Sequence, residues 1–255
     1  MPALQREIIS IFFDELSKNR LANSRRLSRK NCISIHNYAI IKKKSEEGEV
    51  YCDMIEKMKL NIEKIKSNLN TSFLGKNIIY YEEIDSTQDE AKRLAKQGKA
   101  TNGMYIVADN QTKGKGTKGR TWYGGEYENI CGTFVLVPNC NIKQIEKLTM
   151  LIAKSLVATI KKLYDIQLDI KYPNDVMCKG KKISGILTES VTNKEIVKYI
   201  FIGIGIDVNQ IIFAPEIEQI ATSLKKEYNK DFDREEIISS FFNTFEKEYQ
   251  NLVNE

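Results

Sequence analysis

The order of apolar and polar positions divides most of the chain into alternating helices and strands. Apolar residues at helical spacing predict a helix that begins after Ser86 and two longer helices over 144–163 and 234–252. Short apolar runs predict strands at 78–84, 103–108, 130–137, 168–172, 183–189 and 200–208. Because helices and strands alternate in this way, we predict an α/β (α+β) domain, a mixed sheet with flanking helices.

The first part of the chain differs from this body. We predict a small, mainly helical N-terminal segment at 1–70 and a separate body at 76–255, with helical spacing at 5–17 and 53–69. Residues 1–60 carry twelve Lys/Arg and eight Asp/Glu, so they hold four of the five net positive charges. Such asymmetry can indicate nucleic-acid contact, but a solvated basic face is the interpretation that we favour.

Composition excludes several classes of protein. With 42% hydrophobic and 29% charged residues, the chain can bury a core and keep a solvated surface. No apolar run is long enough to span a bilayer, and charges interrupt the start where a signal peptide would lie. The five cysteines form no C-x-x-C pair and there is one histidine, which disfavours a zinc site. We therefore expect a soluble cytoplasmic protein without membrane contact.

A glycine-rich, cationic segment lies between two predicted strands, at 111–122, and reads Q-T-K-G-K-G-T-K-G-R-T-W. Glycine allows close backbone approach to a ligand, and exposed N–H groups with cations suit phosphate or carboxylate groups. The P-loop pattern is absent. Taken alone, the segment fits an anion site and a plain flexible loop equally well, and Trp122 fits a core residue better than a stacking platform.

A second group of polar residues follows the strand predicted at 168–172. The sequence K-Y-P-N-D at 171–175 is followed by a predicted hairpin turn at 176–181 and by Lys182, which would open the return strand. Carboxylate and amide oxygens suit Mg²⁺ bound through substrate phosphates. Pro-Asn-Asp by itself is more typical of a structural turn.

Two shorter motifs complete the set. G-I-G-I-D at 203–207 places two glycines in a strand, which indicates close backbone approach or a bulge. D-S-T-Q at 85–88 lies at a strand-to-helix junction, where a helix cap and a binding site are equally good interpretations.

In combination, the order and spacing of these motifs resemble the biotin–protein ligase (biotin–[acetyl-CoA-carboxylase] ligase) family. That family's catalytic domain carries D-S-T-N, Q-x-x-G-R-G-R-x-G-R-x-W, K-W-P-N-D, K-x-x-G-I-L-x-E and G-I-G-I-N in this order, and the match covers roughly 76–252. The resemblance implies a class II synthetase-like fold. It also implies an enzyme that makes biotinyl-5′-AMP from biotin and ATP with Mg²⁺. Biotin would then be transferred to a lysine of a biotin carboxyl carrier protein domain.

The resemblance also implies roles for matching residues. Biotin would be bound by Ser86, Thr87, Gln88, Gln111, Lys115, Gly116, Thr117, Lys182 and Gly185. Lys182 and Lys115 would be catalytic. ATP would be bound by Arg120, Trp122, Lys171, Asn174 and Asp207. Mg²⁺ would be held, through phosphates, by Asp175 and Asn174.

This chain departs from the family pattern at several of these positions. Lys115 and Thr117 stand where arginines are usual, which predicts weaker retention of the adenylate. Gln88, Tyr172 and Asp207 replace asparagine, tryptophan and asparagine, and Asp207 adds a charge near the site.

The two ends leave alternatives open. We expect no room after the last helix for the SH3-like barrel that many members carry, and residues 1–70 could be a degenerate winged-helix region. DNA binding is thus open but disfavoured, and a homodimer is neither indicated nor excluded. The rival functions are a lipoate–protein ligase, a biotin-sensing repressor with weak ligase activity and an inactive binding protein.

Overall fold

The computed structural model describes residues 58–138, 145–193 and 196–254. The chain divides into two compact units, Met1–Lys57 and Met58–Glu255. The helix predicted at 5–17 and most of the region considered for DNA binding, up to residue 57, lie outside the described residues.

A seven-stranded sheet forms the centre of the described body. Its strands are β1 (Ile78–Ile84), β2 (Tyr105–Gln111), β3 (Ile130–Leu136), β4 (Asp169–Lys171), β5 (Asp175–Cys178), β6 (Lys181–Asn193) and β7 (Ile196–Ile206). Their order across the sheet is β1-β2-β3-β7-β6-β5-β4. The β1–β2 pair is parallel and the other neighbours are antiparallel. The predicted mixed sheet is therefore confirmed.

Helices flank the sheet. They are α1 (Ile62–Ser67), α2 (Thr87–Lys96), α3 (Ile145–Tyr164), α4 (Leu224–Tyr228) and α5 (Arg234–Asn254). Ser86 caps α2 as its position indicated, because its side chain accepts a hydrogen bond from the Asp89 N–H. In the described part of the chain, no helix is long and apolar enough to cross a membrane.

The alternation of side chains along the strands produces two apolar layers. On β3, Phe134 belongs to the larger core, which α3 and α5 cover, whereas the next residue, Val135, belongs to a smaller cluster beneath α2. Aromatic rings of α5 pack on Phe134, and the Phe242 ring lies edge-on to it at 5.7 Å. One face of the sheet is thus filled by long helices, and the other is covered only in part, which leaves space for a site.

The body begins earlier than the sequence suggested. Leu60, Ile65, Leu69 and Leu74 are buried in the larger core, and α1 packs against α5. The compact body therefore starts at Met58, so that the predicted division between 70 and 76 runs through packed residues. Within the described residues, the helical pattern predicted at 53–69 forms α-helix at Met58 and in α1, with a break at 59–61.

The structure has a hairpin between β5 and β6, as predicted at 176–181, and its turn consists of Lys179 and Gly180. Lys179 and Gly180 both have positive φ, at 48° and 82°, as a two-residue hairpin turn of type I′ requires. The four residues of β5 and the five of α4 were not predicted, because elements this short show too little periodicity in the sequence.

Candidate functional site

The partly covered face of the sheet holds a cleft between the N-terminus of α2 and the glycine-rich segment. All nine residues predicted to bind biotin line it, and Trp122 lines it as well. The cleft has about 440 Å³ of empty space, counted together with its open mouth. Residues that are up to about a hundred positions apart in the sequence thus meet at one place.

The floor of the cleft is built from glycines on β6 and β7. Gly185 and Gly205 are paired in register. A Cβ atom on Gly205 would lie 2.2 Å from Trp122 Cε2, and one on Gly203 would lie 2.8 Å from Gln88 Oε1. Both distances are too short for a real side chain, so the close approach predicted for the two glycines of β7 is confirmed.

A polar network forms one end of the cleft. The Thr87 N–H and Oγ1–H donate to Gln111 Oε1 at 2.8 and 3.0 Å. Thr133 Oγ1 lies 2.9 Å from Thr87 Oγ1 and donates to Gln88 Oε1 at 3.1 Å. Thr87, Gln88 and Thr133 are buried. Thr133 was not predicted, because its only signal in the sequence is a hydroxyl group in an otherwise apolar strand.

The glycine-rich segment folds back on itself at the mouth of the cleft. Trp122 N donates to Gly114 O at 2.9 Å, and Gly116 N donates to Arg120 O at 2.7 Å. The Arg120 guanidinium donates to Thr117 Oγ1 at 2.6 Å and to Thr117 O at 3.1 Å. Arg120, which was predicted to bind ATP, therefore makes its contacts within the segment and does not line the cleft.

Two lysines bring positive charge to the cleft, and each has a carboxylate partner. Lys115 Nζ lies 2.6 Å from Asp89 Oδ1 on α2, which ties the segment to that helix. Lys182 Nζ lies 2.6 Å from Asp175 Oδ1 and 5.7 Å from the centre of the Trp122 ring. The two lysines predicted to be catalytic thus converge on the same space.

The predicted metal ligands lie beside Lys182. Asp175 pairs in register with Gly185 across β5 and β6. Asn174 Nδ2 donates to Ile186 O at 2.9 Å, which fixes the amide on the strand that carries the cleft. Lys171 is exposed on β4 and does not line the cleft.

Asp207 lies beneath the end of the cleft that holds Lys182 and is not on the surface of the cleft. It is buried, and its Oδ1 accepts from Asn129 Nδ2 at 3.0 Å. Burial raises the pKa of the Asp207 carboxyl well above its usual value, and the charge of Lys182 opposes this only in part. The Asp207 carboxyl is therefore easier to protonate than an exposed aspartate.

Known proteins resemble this chain over the segment that builds the cleft. The model of the biotin/lipoate A/B protein ligase family matches residues 80–207, which include the cleft residues from Ser86 to Gly205. Bifunctional ligase/repressor BirA of Bacillus subtilis is 37% identical over 197 residues, which are 76% of this chain and 60% of that protein. Biotin–[acetyl-CoA-carboxylase] ligase of Paracoccus denitrificans is 31% identical over 60% of this chain and 65% of that protein.

The fold agrees with these likenesses. A structure of biotin protein ligase from Aquifex aeolicus in complex with biotin and ATP superposes with a TM-score of 0.62 and 32% identity. The similarity covers 71% of this chain and 73% of that one. The resemblance drawn from the motifs and the fold class that it implies are thereby confirmed. The chain spans about 60% of the length of the Bacillus relative and 65% of the Paracoccus relative.

Proposed function

Because the chain belongs to the biotin/lipoate A/B protein ligase family, we propose that it is an ATP-dependent biotin–protein ligase. Biotin and ATP would form biotinyl-5′-AMP, and biotin would pass to a lysine of a biotin carboxyl carrier protein domain. The observation that carries this proposal is the convergence of Lys182, Lys115 and the polar network on one cleft. The biotin and ATP in the related Aquifex structure support the choice of substrates.

The two ends of the cleft suit the two ends of biotin. The network of Thr87, Gln88, Gln111 and Thr133 offers hydrogen bonds to the ureido ring. The side chain of Leu187 and the glycines of β6 and β7 line the space between that network and Lys182, where a hydrocarbon tail would lie. The carboxylate of biotin would then reach Lys182.

In the first step a carboxylate oxygen of biotin attacks the α-phosphorus of ATP. A P–O bond forms, and the bond to pyrophosphate breaks. Both reactants are anions, so cations must offset their repulsion and stabilise the charge that develops on the phosphoryl oxygens. Lys182 and Lys115 are suited to this role, since each lines the cleft and already binds a carboxylate that a substrate anion can replace.

Magnesium would enter with the nucleotide. Asp175 and Asn174 supply the hard oxygen ligands that Mg²⁺ prefers, and the ion binds through one or two carboxylates together with waters and phosphates. Among the described residues no cluster of three acidic, His or Cys side chains is present, and such a site requires none. Asp175 and Asn174 thus fit the ion, which when bound would neutralise charge on the phosphates.

Trp122 and the glycine-rich segment would hold the nucleotide half. The Trp122 ring lies over the Gly185–Gly205 pair and offers an aromatic face to adenine. Biotinyl-AMP is a mixed anhydride that water hydrolyses, and the segment over the cleft would exclude water. In the second step the carrier lysine amine attacks the acyl carbon, loses a proton and releases AMP.

A transfer assay tests this function. The protein is incubated with labelled biotin, ATP, Mg²⁺ and a carrier domain, and the label on the carrier lysine is measured. We expect ATP-dependent labelling that unlabelled biotin suppresses and unlabelled lipoate does not. Preferential transfer of lipoate would overturn the choice of substrate. Binding of biotin without any transfer would indicate a binding protein and not a ligase.

A second candidate function, repression of transcription, is favoured by two observations. Residues 1–60 hold four of the five net positive charges, and the Bacillus subtilis relative is named a bifunctional ligase/repressor. Fluorescence anisotropy with DNA from upstream of the host's biotin-synthesis genes, with and without biotinyl-AMP, would test it. Tight sequence-specific binding together with negligible carrier labelling would favour the repressor.

Replacing Thr117 by arginine should slow the release of biotinyl-AMP. Thr117 lines the cleft without adding charge, and an arginine there adds a forked cation beside the phosphate. We expect dissociation of labelled biotinyl-AMP, followed after dilution into unlabelled ligand, to slow by about tenfold, which corresponds to about 1.4 kcal/mol. Thr112→Arg, the same change at an exposed position outside the cleft, is the control. An equal dissociation rate for Thr117→Arg and the wild type would contradict the expectation.

A further inference from the structure

One side chain next to the polar end of the cleft was singled out by the motifs without being given a role. Glu189 ends the G-I-L-T-E stretch on β6 and lies two residues beyond Leu187, on the same face of the strand. Its Oε2 accepts a hydrogen bond from Gln88 Nε2 at 2.8 Å and lies 2.7 Å from Lys92 Nζ. Glu189 thus touches the cleft only through Gln88.

This contact decides which way round the Gln88 amide lies. An amide can present either its NH₂ or its carbonyl oxygen, whereas a carboxylate only accepts hydrogen bonds. Gln88 Nε2 therefore faces Glu189, and it also donates to Phe201 O at 3.3 Å. The opposite atom, Oε1, is left to face Thr133, whose hydroxyl donates to it at 3.1 Å.

The orientation of Gln88 sets the direction of the whole network. Thr133 has one hydroxyl proton, which goes to Gln88 Oε1, so that Thr133 Oγ1 has none left to donate. The single hydroxyl proton of Thr87 is within reach of both Gln111 Oε1 and Thr133 Oγ1. The lone pairs that remain on Gln88 Oε1, Thr133 Oγ1 and Thr87 Oγ1 can therefore accept hydrogen bonds from a ligand. If the Gln88 amide were reversed, its NH₂ group would face Thr133, and the direction of the hydrogen bonds in the network would reverse.

We infer that Glu189 is a positioning residue for ligand recognition, which makes the end of the cleft accept hydrogen bonds from ligand N–H groups. A cyclic urea, which carries two N–H donors, is the chemical class that such an end selects. The inference rests on the proposed function, since biotin supplies that group. Glu189 itself touches neither the ligand nor the reacting atoms.

Glu189→Gln tests this role, because glutamine keeps the size of the side chain but can face Gln88 with either a donor or an acceptor. We expect the KM for biotin to rise about tenfold, which is about 1.4 kcal/mol. The kcat and the KM for ATP should stay within about twofold of the wild type, because the reacting end is unchanged. Calorimetric titration with biotin alone should show the same loss of affinity, and thermal unfolding checks that the fold is retained.

Two control variants separate orientation of the amide from other effects. Glu83 lies outside the cleft, and its carboxylate also accepts a hydrogen bond from an amide, that of Asn110, at 2.7 Å. Glu83→Gln therefore removes the same charge from a similar contact. Lys92→Met removes the ion pair but leaves the Glu189 carboxylate facing Gln88. Both should keep the KM for biotin of the wild type.

The outcomes are distinct. If the wild type labels the carrier and Glu189→Gln binds biotin as the wild type does, the inference falls and the proposed function stands. An equal loss in Lys92→Met, or a loss in kcat with the KM for biotin unchanged, would also overturn the positioning role. If the wild type neither binds nor transfers biotin, the proposed function falls and takes the inference with it.

Discussion

Replacing Lys182 by alanine is expected to lower the rate of biotin adenylation by roughly 10² to 10³-fold, the loss typical when a donor that stabilises transition-state charge is removed. The Lys182 ammonium lies 2.6 Å from Asp175 and 5.7 Å from the Trp122 ring, and in the proposed mechanism the two substrate anions would meet beside it. Without it, Asp175 adds negative charge where the carboxylate and the α-phosphate must approach. Pyrophosphate release with saturating biotin and ATP measures the effect.

The neighbouring lysine is the matched control for this prediction. Lys181 Nζ donates to Glu218 O at 3.4 Å and does not line the cleft. Lys181→Ala removes the same charge one position away and should keep adenylation within about twofold, since exposed charges contribute little. Near-normal adenylation in Lys182→Ala, or equal losses in the two variants, would remove Lys182 from the proposed mechanism.

The largest effect on stability is expected where a buried ion pair joins β2 to the first residue of α5. Arg234 Nη1 donates to Asp109 Oδ1 at 2.8 Å, and the two side chains are only 6% and 0% exposed. Asp109→Asn leaves a buried guanidinium without its counter-charge. We expect the free energy of unfolding, measured by urea denaturation, to fall by about 3–5 kcal/mol.

The surroundings of this pair explain why the loss should be large. Asp109 Oδ2 also accepts from the Tyr80 hydroxyl at 2.7 Å and from the Leu60 N–H at 3.2 Å, and Arg234 donates to the Met58 carbonyl as well. One carboxylate thus fixes β1, the first residues of the body and α5. The substitution therefore leaves several buried polar groups less well paired.

An exposed ion pair provides the control. Asp165, 90% exposed, pairs with Lys161 at 2.6 Å, and Asp165→Asn should leave the free energy of unfolding close to that of the wild type. The double variant Asp109→Leu with Arg234→Met should be less destabilised than the sum of its single variants, because no unpaired charge remains. A loss below about 1 kcal/mol in Asp109→Asn would show that the buried pair does not hold the body together.

Much of the fold could be predicted because its determinants are local. The strand predicted at 78–84 coincides with β1, and the helix predicted at 234–252 differs from α5 by two residues at its end. Ser86 caps α2 as its position indicated. Periodicity of two or 3.6 residues and a capping side chain act over a few residues, so the sequence displays them directly.

The identity of the cleft residues could also be predicted, since the motifs and their order carry it. The nine residues assigned to biotin all line the cleft. Of the residues assigned to ATP and Mg²⁺, Trp122 lines it, whereas Arg120, Lys171, Asn174, Asp175 and Asp207 do not. The sequence indicated which residue types suit catalysis and ligand binding. The direction of a side chain in an irregular segment, however, depends on neighbours that are distant in the sequence.

Only the tertiary structure decided which residues support the site. Thr133 and Glu189 join the polar network because β3, β7 and β6 are held in one register, which places Thr133 beside Gly203 and Glu189 beside Phe201. Likewise Met58 begins the body because α1 packs on α5. The sequence alone determined the local elements and the chemistry of the motifs. Register between strands and packing between distant helices supplied the rest, since these contacts join residues that share no local pattern.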